Sequence, residues 1–380
     1  MLKTAVIGVG NAGGNVAKLV HEKASFPAIA LNTSNQDLTA IGDSIPVLLF
    51  GDGKGIGKNR DGSKEELKKS VQALIGDEKM INTLKGAELI FVVSSCGGGT
   101  GSGTAIILAT IVGISYPNAT VIPIGIAPQL TEGFGSQLNF VDYYAELKKK
   151  SDTMSYMIYD NNQYSNLPHK QMIETVNDQI CRHIQVLSGV FNNQTDLDSI
   201  DDRDMLTIVS APGRLVVVDA IDIKERDVDS SEGIEKMLID NLKNSAIAEP
   251  QKDGRVTSSG IIADISEKLP FNPMIPTVQD YIGVPIDSFQ HISINKEKAL
   301  KNDVYLIMSG LSMIRDRKDR ASEIIKERNK KQAEIEAEDD DDDEDLSEFR
   351  SFKSKRVLAK KKDKPAEATT FDDIFKSFGM

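Results

Sequence analysis

The stretch SSCGGGTGSGT (Ser94–Thr104) follows the apolar run AELIFVV without a break. The run reads as a buried strand. The glycines behind it, at 97, 98, 99, 101 and 103, cannot build a core. What they offer is bare backbone: N–H groups that a ligand can approach closely, in a chain free to turn. An apolar helix begins beyond them, so its positive dipole end points back at the same spot. A second stretch of this kind, GVGNAGGN (Gly8–Asn15), closes the strand LKTAVIGV. Two glycine loops at strand ends restrict the fold to an α/β layer with phosphate or another anion at the strand tips.

The rest of the first half agrees. Helices are predicted at 15–23, 64–75, 104–114 and 135–150. They alternate with the strands AIALNT, ATVIPIGIA and SYMIYD. This βαβα order predicts a mostly parallel sheet covered on both faces. Residues 168–191 form a long helix, because Ile173, Val176, Ile180, Ile184 and Leu187 recur at helical spacing. An acidic loop follows, NNQTDLDSIDDRD. A second region, 205–313, has strands at RLVVVDAI, GRVTSSGIIADI and DVYLIMSGLS and a helix at 233–243. The expected organisation is therefore a nucleotide-binding domain at 1–165, a central helix and acidic loop at 166–204, a smaller α+β domain at 205–313, a charged helix at 314–338 and a disordered charged tail at 339–380. No internal repeat is visible.

Composition removes several function classes. The net charge of −12 argues against a general DNA- or membrane-binding surface. Cys96 and Cys181 are the only cysteines and the histidines number 4, so neither a zinc site nor a disulfide framework is expected. No apolar run is long enough to span a bilayer, and MLKTAVIGVG is too glycine-rich for a signal peptide. A cytoplasmic protein is expected. Gly8, Gly10 and Gly13 satisfy the G-x-G-x-x-G dinucleotide pattern, but the second strand ends in LNTSNQDL without the acidic ribose partner. Neither glycine loop continues into Gly-Lys-Ser/Thr, so a Walker A loop is absent.

The loop GGGTGSG (Gly97–Gly103) resembles the signature loop of the tubulin/FtsZ superfamily, and seven further segments agree in order. The resemblance implies a GTPase fold with GTP or GDP and Mg²⁺ as ligands. It implies phosphate contacts from Gly10, Asn11, Ala12, Gly13, Gly14 and Asn15 in the first loop. Asn32 in NTSNQDL would add to them. In GKGIGKN, Gly55, Gly57 and Asn59 would sense the γ-phosphate. Gly97, Gly98, Gly99, Thr100, Gly101 and Ser102 would form the second cradle. Glu132 in TEGFGSQ and Asn161 in YDNNQ would hold ribose. Asn177 and Asp178 in TVNDQI would read guanine, Asp178 accepting from its ring N–H and amino group. Asp201 and Asp204 fall at the family's two acidic catalytic positions. They are chosen among Asp196, Asp198, Asp201, Asp202 and Asp204 because MLTIVSAPG then comes into register. No metal-ligand cluster is implied.

The sequence also departs from that pattern. Ser136 stands where family members commonly carry arginine, Ser199 where they carry asparagine, and Ile173 where they stack a phenylalanine on the base. With the charged helix after Met313, these departures resemble the phage and plasmid tubulins (TubZ and PhuZ types). That likeness implies a head-to-tail homopolymer, hydrolysis completed by the next subunit's acidic loop, and filaments that position phage or plasmid DNA. The alternatives are an FtsZ-like or archaeal-tubulin-like division or shape filament, a non-polymerising GTP-binding scaffold, and the Rossmann oxidoreductase. The tail admits three readings: a solubilising end, a filament contact, or an adaptor ligand. In the last, Phe371, Ile374, Phe375 and Phe378 share one helical face that would dock on a DNA-bound adaptor. No direct contact with nucleic acid or membrane is expected.

Overall fold

Alternate residues of the first strands enter two different cores. In β1 (Thr4–Val9), Val6 packs on one face of the sheet, while Ala5, Ile7 and Val9 pack on the other. In β4 (Leu89–Ser95), Leu89, Phe91 and Val93 face the first core and Ile90 and Val92 the second. A strand whose two faces are both apolar belongs inside a helix-covered parallel sheet. The computed structural model, which describes residues 1–191, 199–247, 255–295, 302–342 and 370–380, has that arrangement.

β1 and β4 lie side by side between β2 (Ala28–Asn32) with β3 (Val47–Leu49), and β5 (Thr120–Ala127) with β6 (Ser155–Asp160). The order β3-β2-β1-β4-β5-β6 is parallel throughout. It reverses direction between β1 and β4, the topological switch point where a ligand crevice forms. Helices α1 (Gly10–Ala24) and α2 (Asn35–Ile41) cover one face. Helices α3 (Arg60–Gly76), α4 (Glu78–Leu84), α5 (Thr100–Ser115) and α6 (Phe134–Lys148) cover the other.

A long helix, α7 (His169–Leu187), packs beside α1 and leads down the domain to α8 (Asp202–Ser210). The sheet then continues through β7 (Gly213–Ala220). β7 joins β6 only at Ser155↔Gly213 and Tyr156↔Arg214. Helix α9 (Ser231–Asn244) packs on β7, and β8 (Ser258–Ser266), α10 (Pro276–Ile282), β9 (Asp287–Asn295) and β10 (Asp303–Leu311) complete the second region. β10 is antiparallel to β7 and β8, and β9 runs parallel to β8 at the edge. α2, α4, α10 and β9 were not expected from the sequence; they are short or carry polar interruptions that blur the period.

Helix α11 (Arg315–Asp342) extends the charged helix predicted after Met313. The acidic and basic blocks at 343–369 lie outside the described residues. The last residues, predicted as part of an unfolded tail, form α12 (Phe371–Ser377) on the body of the same chain. Thr370 and Asp373 make a reciprocal capping box at its start. Ile374, Phe375 and Phe378 are buried in the second core, and Lys68 and Lys150 lie over the two phenylalanine rings. The cause lies in α5, whose Ile106, Ile107, Leu108, Ile111 and Val112 are all buried. A helix apolar on every side needs cover beyond the sheet, and α12 helps to supply it.

Candidate functional site

α1 and α5 begin inside the glycine loops, at Gly10 and Thr100, rather than at Asn15 and Thr104 as their apolar periodicity suggested. Both N-termini therefore meet at the switch point. Gly10 turns at φ +73°, and a Cβ there would lie 3.2 Å from the nitrogen of Gly101. The residues preceding the two helices, Val9 and Gly99, make no side-chain cap. First-turn N–H groups have no intrahelical acceptor. Two uncapped helix starts bring two positive dipole ends to one crevice, which favours an anion there. The crevice has a volume of about 450 Å³ and is lined by Gly10–Ala12, Asn32–Ser34, Asp37, Gly55–Lys58, Ser95 and Gly98–Gly101. The hydroxyls of Thr33 and Thr100 meet within it at 2.7 Å.

The second loop is held from behind by its carbonyls. Asn139 Nδ2 donates to Gly98 O at 2.9 Å and Gly97 O at 3.3 Å. Ser63 Oγ donates to Gly99 O at 3.1 Å, and Ser102 Oγ donates to Gly98 O. Arg60 Nη2 donates to Ser102 O at 2.7 Å and to Glu146 at 2.6 Å; Lys64 shares that carboxylate. These bonds fix the carbonyls of Gly97, Gly98 and Gly99 from the protein side. Gly99 has a second constraint, since a Cβ there would sit 2.1 Å from Gly57 O of the 53–59 loop. Arg60, Ser63, Asn139 and Glu146 were not singled out in the sequence. Their signal is tertiary: polar residues on the inner faces of α3 and α6, with no local motif.

Of the remaining residues expected at the site, several do other work. Gly13 lets α1 lie against β4, where a Cβ would meet Val93 O at 2.1 Å, and Gly14 faces Ile41 and Ala30. Asn15 donates to Asn11 Oδ1 at 3.2 Å. Asn59 caps α3 by accepting from Gly62 N at 3.0 Å. Glu132 Oε1 accepts from Gln129 N, and Asn162, beside Asn161, accepts from Leu130 N. The second bond ties the chain just before TEGFGSQ to the YDNNQ segment. Asn177 is half-buried on α7, and Asp178 pairs with Lys23 at 2.7 Å, outside the crevice lining. Burial pushes the Cys96 thiol far above its usual range, so it stays a packed side chain.

The lining offers Mg²⁺ one carboxylate, Asp37, which accepts from Asn32 Nδ2 at 3.0 Å, besides the threonine hydroxyls. That set fits an ion that keeps most of its waters and takes its other oxygens from phosphate. Among the described residues no group of three or more His, Cys, Asp or Glu forms a closed metal site.

Asp201 and Asp204 lie at the other end of the molecule. Asp201 is the N-cap of α8, accepting from Arg203 N at 2.8 Å and Asp204 N at 2.9 Å, and Asp204 accepts from Asp201 N at 3.1 Å. Their neighbour Asp202 pairs with the N-terminus of Met1 at 2.8 Å. Met1 precedes β1 and the crevice follows it, so the strand length of roughly 20 Å separates the acidic pair from the crevice. Asp196 and Asp198 lie outside the described residues. A larger cavity, about 700 Å³, opens near Met1–Ala5 and Lys23–Pro27, but no expected site residue lines it. No described helix is long and apolar enough to cross a membrane.

Comparison with known proteins bears on both fold and crevice. Residues 3–167 match the model "Tubulin/FtsZ family, GTPase domain". The tubulin-like protein CetZ of Pyrococcus abyssi is 27% identical over 258 residues, 65% of this chain and 68% of that protein. The crystal structure of Clostridium botulinum phage c-st TubZ superposes with a TM-score of 0.70 at 17% identity, covering 87% of this chain and 99% of that one. A GTPγS-bound protofilament of CetZ2 from Haloferax volcanii superposes at 0.67 with 18% identity, covering 86% and 100%. At these identities the superpositions speak for the fold. What they show is a tubulin/FtsZ-like α/β fold, with residues 3–167 similar to that family's GTPase domain.

Proposed function

We propose that the chain binds GTP in the crevice, assembles head to tail with copies of itself, and hydrolyses GTP at the junction between them. The observation that carries this reading is the separation of the phosphate crevice from the acidic α8 start at the opposite end of one chain. A crevice whose one lining carboxylate is held by Asn32 lacks an obvious group to orient water. A copy stacked on it would bring Asp201 and Asp204.

In this reading the amides of Gly10–Ala12 and Gly98–Gly101 and the hydroxyls of Thr33 and Thr100 hold the phosphates. Glu132 and Asn161 hold ribose. The guanine contact expected of Asn177 and Asp178 is left out of this reading, because Asp178 is paired with Lys23, which lies by Met1–Ala5 at the far end of α1 from the crevice. Mg²⁺, when bound, neutralises phosphate charge. Asp201 and Asp204 of the incoming copy orient the attacking water, and the charge developing in transfer is met by the preorganised amides.

The test is Asp201→Asn and Asp204→Asn, each assayed for GTP binding, pelleting and phosphate release. Asparagine keeps the oxygen that caps α8, so the helix start survives while the charge is lost. The expected variants bind GTP and pellet with it, and release phosphate slower by about a hundredfold or more. Release at the parent rate would refute the acidic pair's role.

For the work done, we favour positioning of phage or plasmid DNA through an adaptor on the C-terminal segment, a reading supported by the TubZ-like fold and the charged α11. Likeness to CetZ in sequence favours a second reading, a filament for cell shape or division. Deleting the gene decides between them: lost DNA segregation supports the first, altered shape or division with DNA retained the second.

A further inference from the structure

Lys58 is the one cationic residue in the crevice lining, and its ammonium is uncommitted. Nζ donates to Ser136 Oγ at 2.8 Å and Gly97 O at 3.2 Å, both neutral oxygens. It makes no ion pair with a described carboxylate. The neighbouring cations are all engaged. Arg60 is buried against Glu146 and Asp142, Lys64 shares Glu146, and Lys54 is an exposed side chain beside Asp52.

The backbone at Lys58 is anchored while its side chain is not. Its carbonyl accepts from Asn139 Nδ2 at 3.1 Å, Gly57 O presses on Gly99, and Asn59 caps α3 immediately after it. The exposed side chain can therefore leave Gly97 O without moving the loop. A bound triphosphate brings several negative charges, whereas each helix start contributes about half a positive charge. An ammonium on neutral oxygens at the rim gains by transferring to a phosphate oxygen.

We propose that Lys58 is a phosphate-binding cation of this site, parked on Ser136 and Gly97 and transferred to the nucleotide when it binds. The proposal rests on the GTP reading above. The spatial neighbour supplies a specific control. Because Nζ lies against Ser136 Oγ, a cation grown from position 136 reaches the same space.

Fluorescent GTP would be titrated into the full-length wild-type chain, Lys58→Met, Lys58→Arg, and Lys58→Met combined with Ser136→Arg, with circular dichroism to verify the fold. Lys58→Met is expected to weaken binding by about tenfold or more, the worth of a charge-assisted hydrogen bond. Lys58→Arg should stay close to wild type, and the double variant should recover most of the loss. A recovery of this kind would not follow if Lys58 merely braced the loop. Folded Lys58→Met binding GTP as tightly as wild type, or a double variant no better than the single one, overturns the proposal. Failure of the wild-type chain to bind GTP would instead overturn the GTP reading itself.

Discussion

Replacing Arg317 with methionine would strip a buried carboxylate of its partner. Arg317 projects from α11 with 6% of its surface exposed, and Asp160, at the end of β6, has 4% exposed. Nε donates to Asp160 Oδ2 at 3.0 Å, a second guanidinium nitrogen donates to Pro128 O, and the cation lies 4.8 Å from the centre of the Phe140 ring. Burial raises the Asp160 carboxyl above its ordinary range, and Arg317 is the main influence pulling it back. Removing one member of a buried pair costs about 3–5 kcal/mol. Asp160 still accepts from Asn162 N at 3.0 Å, which argues for the low end, about 3 kcal/mol. Pairing the change with Asp160→Asn should recover most of that, because no stranded charge remains. The sign of the pH effect follows from the raised folded pKa. Such a group contributes stability below its unfolded pKa and loses it as pH rises through the folded one. The pKa climbs further without Arg317, so the deficit is greatest near neutrality and shrinks on acidification. Urea unfolding of wild type, Arg317→Met and the double variant, near neutral pH and about pH 5, reads this directly. A loss of less than about 1 kcal/mol, or an equal loss at both pH values, would refute the reasoning.

Gly99→Ala should abolish GTP binding, because its Cβ would meet Gly57 O at 2.1 Å and drive the 53–59 loop off the phosphate turn; equilibrium titration checks it, and unchanged affinity would contradict that contact. Phe375→Ala should release α12 at a gross cost of about 3 kcal/mol while the main unfolding transition barely moves. Hydrogen exchange across 370–380 is the readout, and protection equal to wild type would show that the buried ring does not hold the segment.

Much of the N-terminal half was legible because its signals are local. A glycine loop behind an apolar run can be seen within a dozen residues, and strand–helix alternation predicted the parallel sheet. Three kinds of information were not legible there. Glycine runs hide helix starts, since α1 and α5 begin where the apolar period has not yet appeared. Side chains that brace the loop come from far along the chain: Ser63 and Asn139 reach Gly99 and Gly98 only because α3 and α6 pack on α5. Asp178 was expected at guanine and stands against Lys23, a partnership set by how α7 lies beside α1.

What the sequence by itself determined was the chemistry on offer: two glycine cradles, an acidic segment and an amphipathic last helix. Periodicity and backbone freedom are short-range properties, so they can be read one stretch at a time. Tertiary structure decided which groups share space. It put the cradles together by reversing strand order between β1 and β4, set the acidic pair a strand's length away, and laid Phe375 on the apolar flank of α5. Those outcomes depend on contacts between residues distant in the chain, whose free energy no local pattern contains.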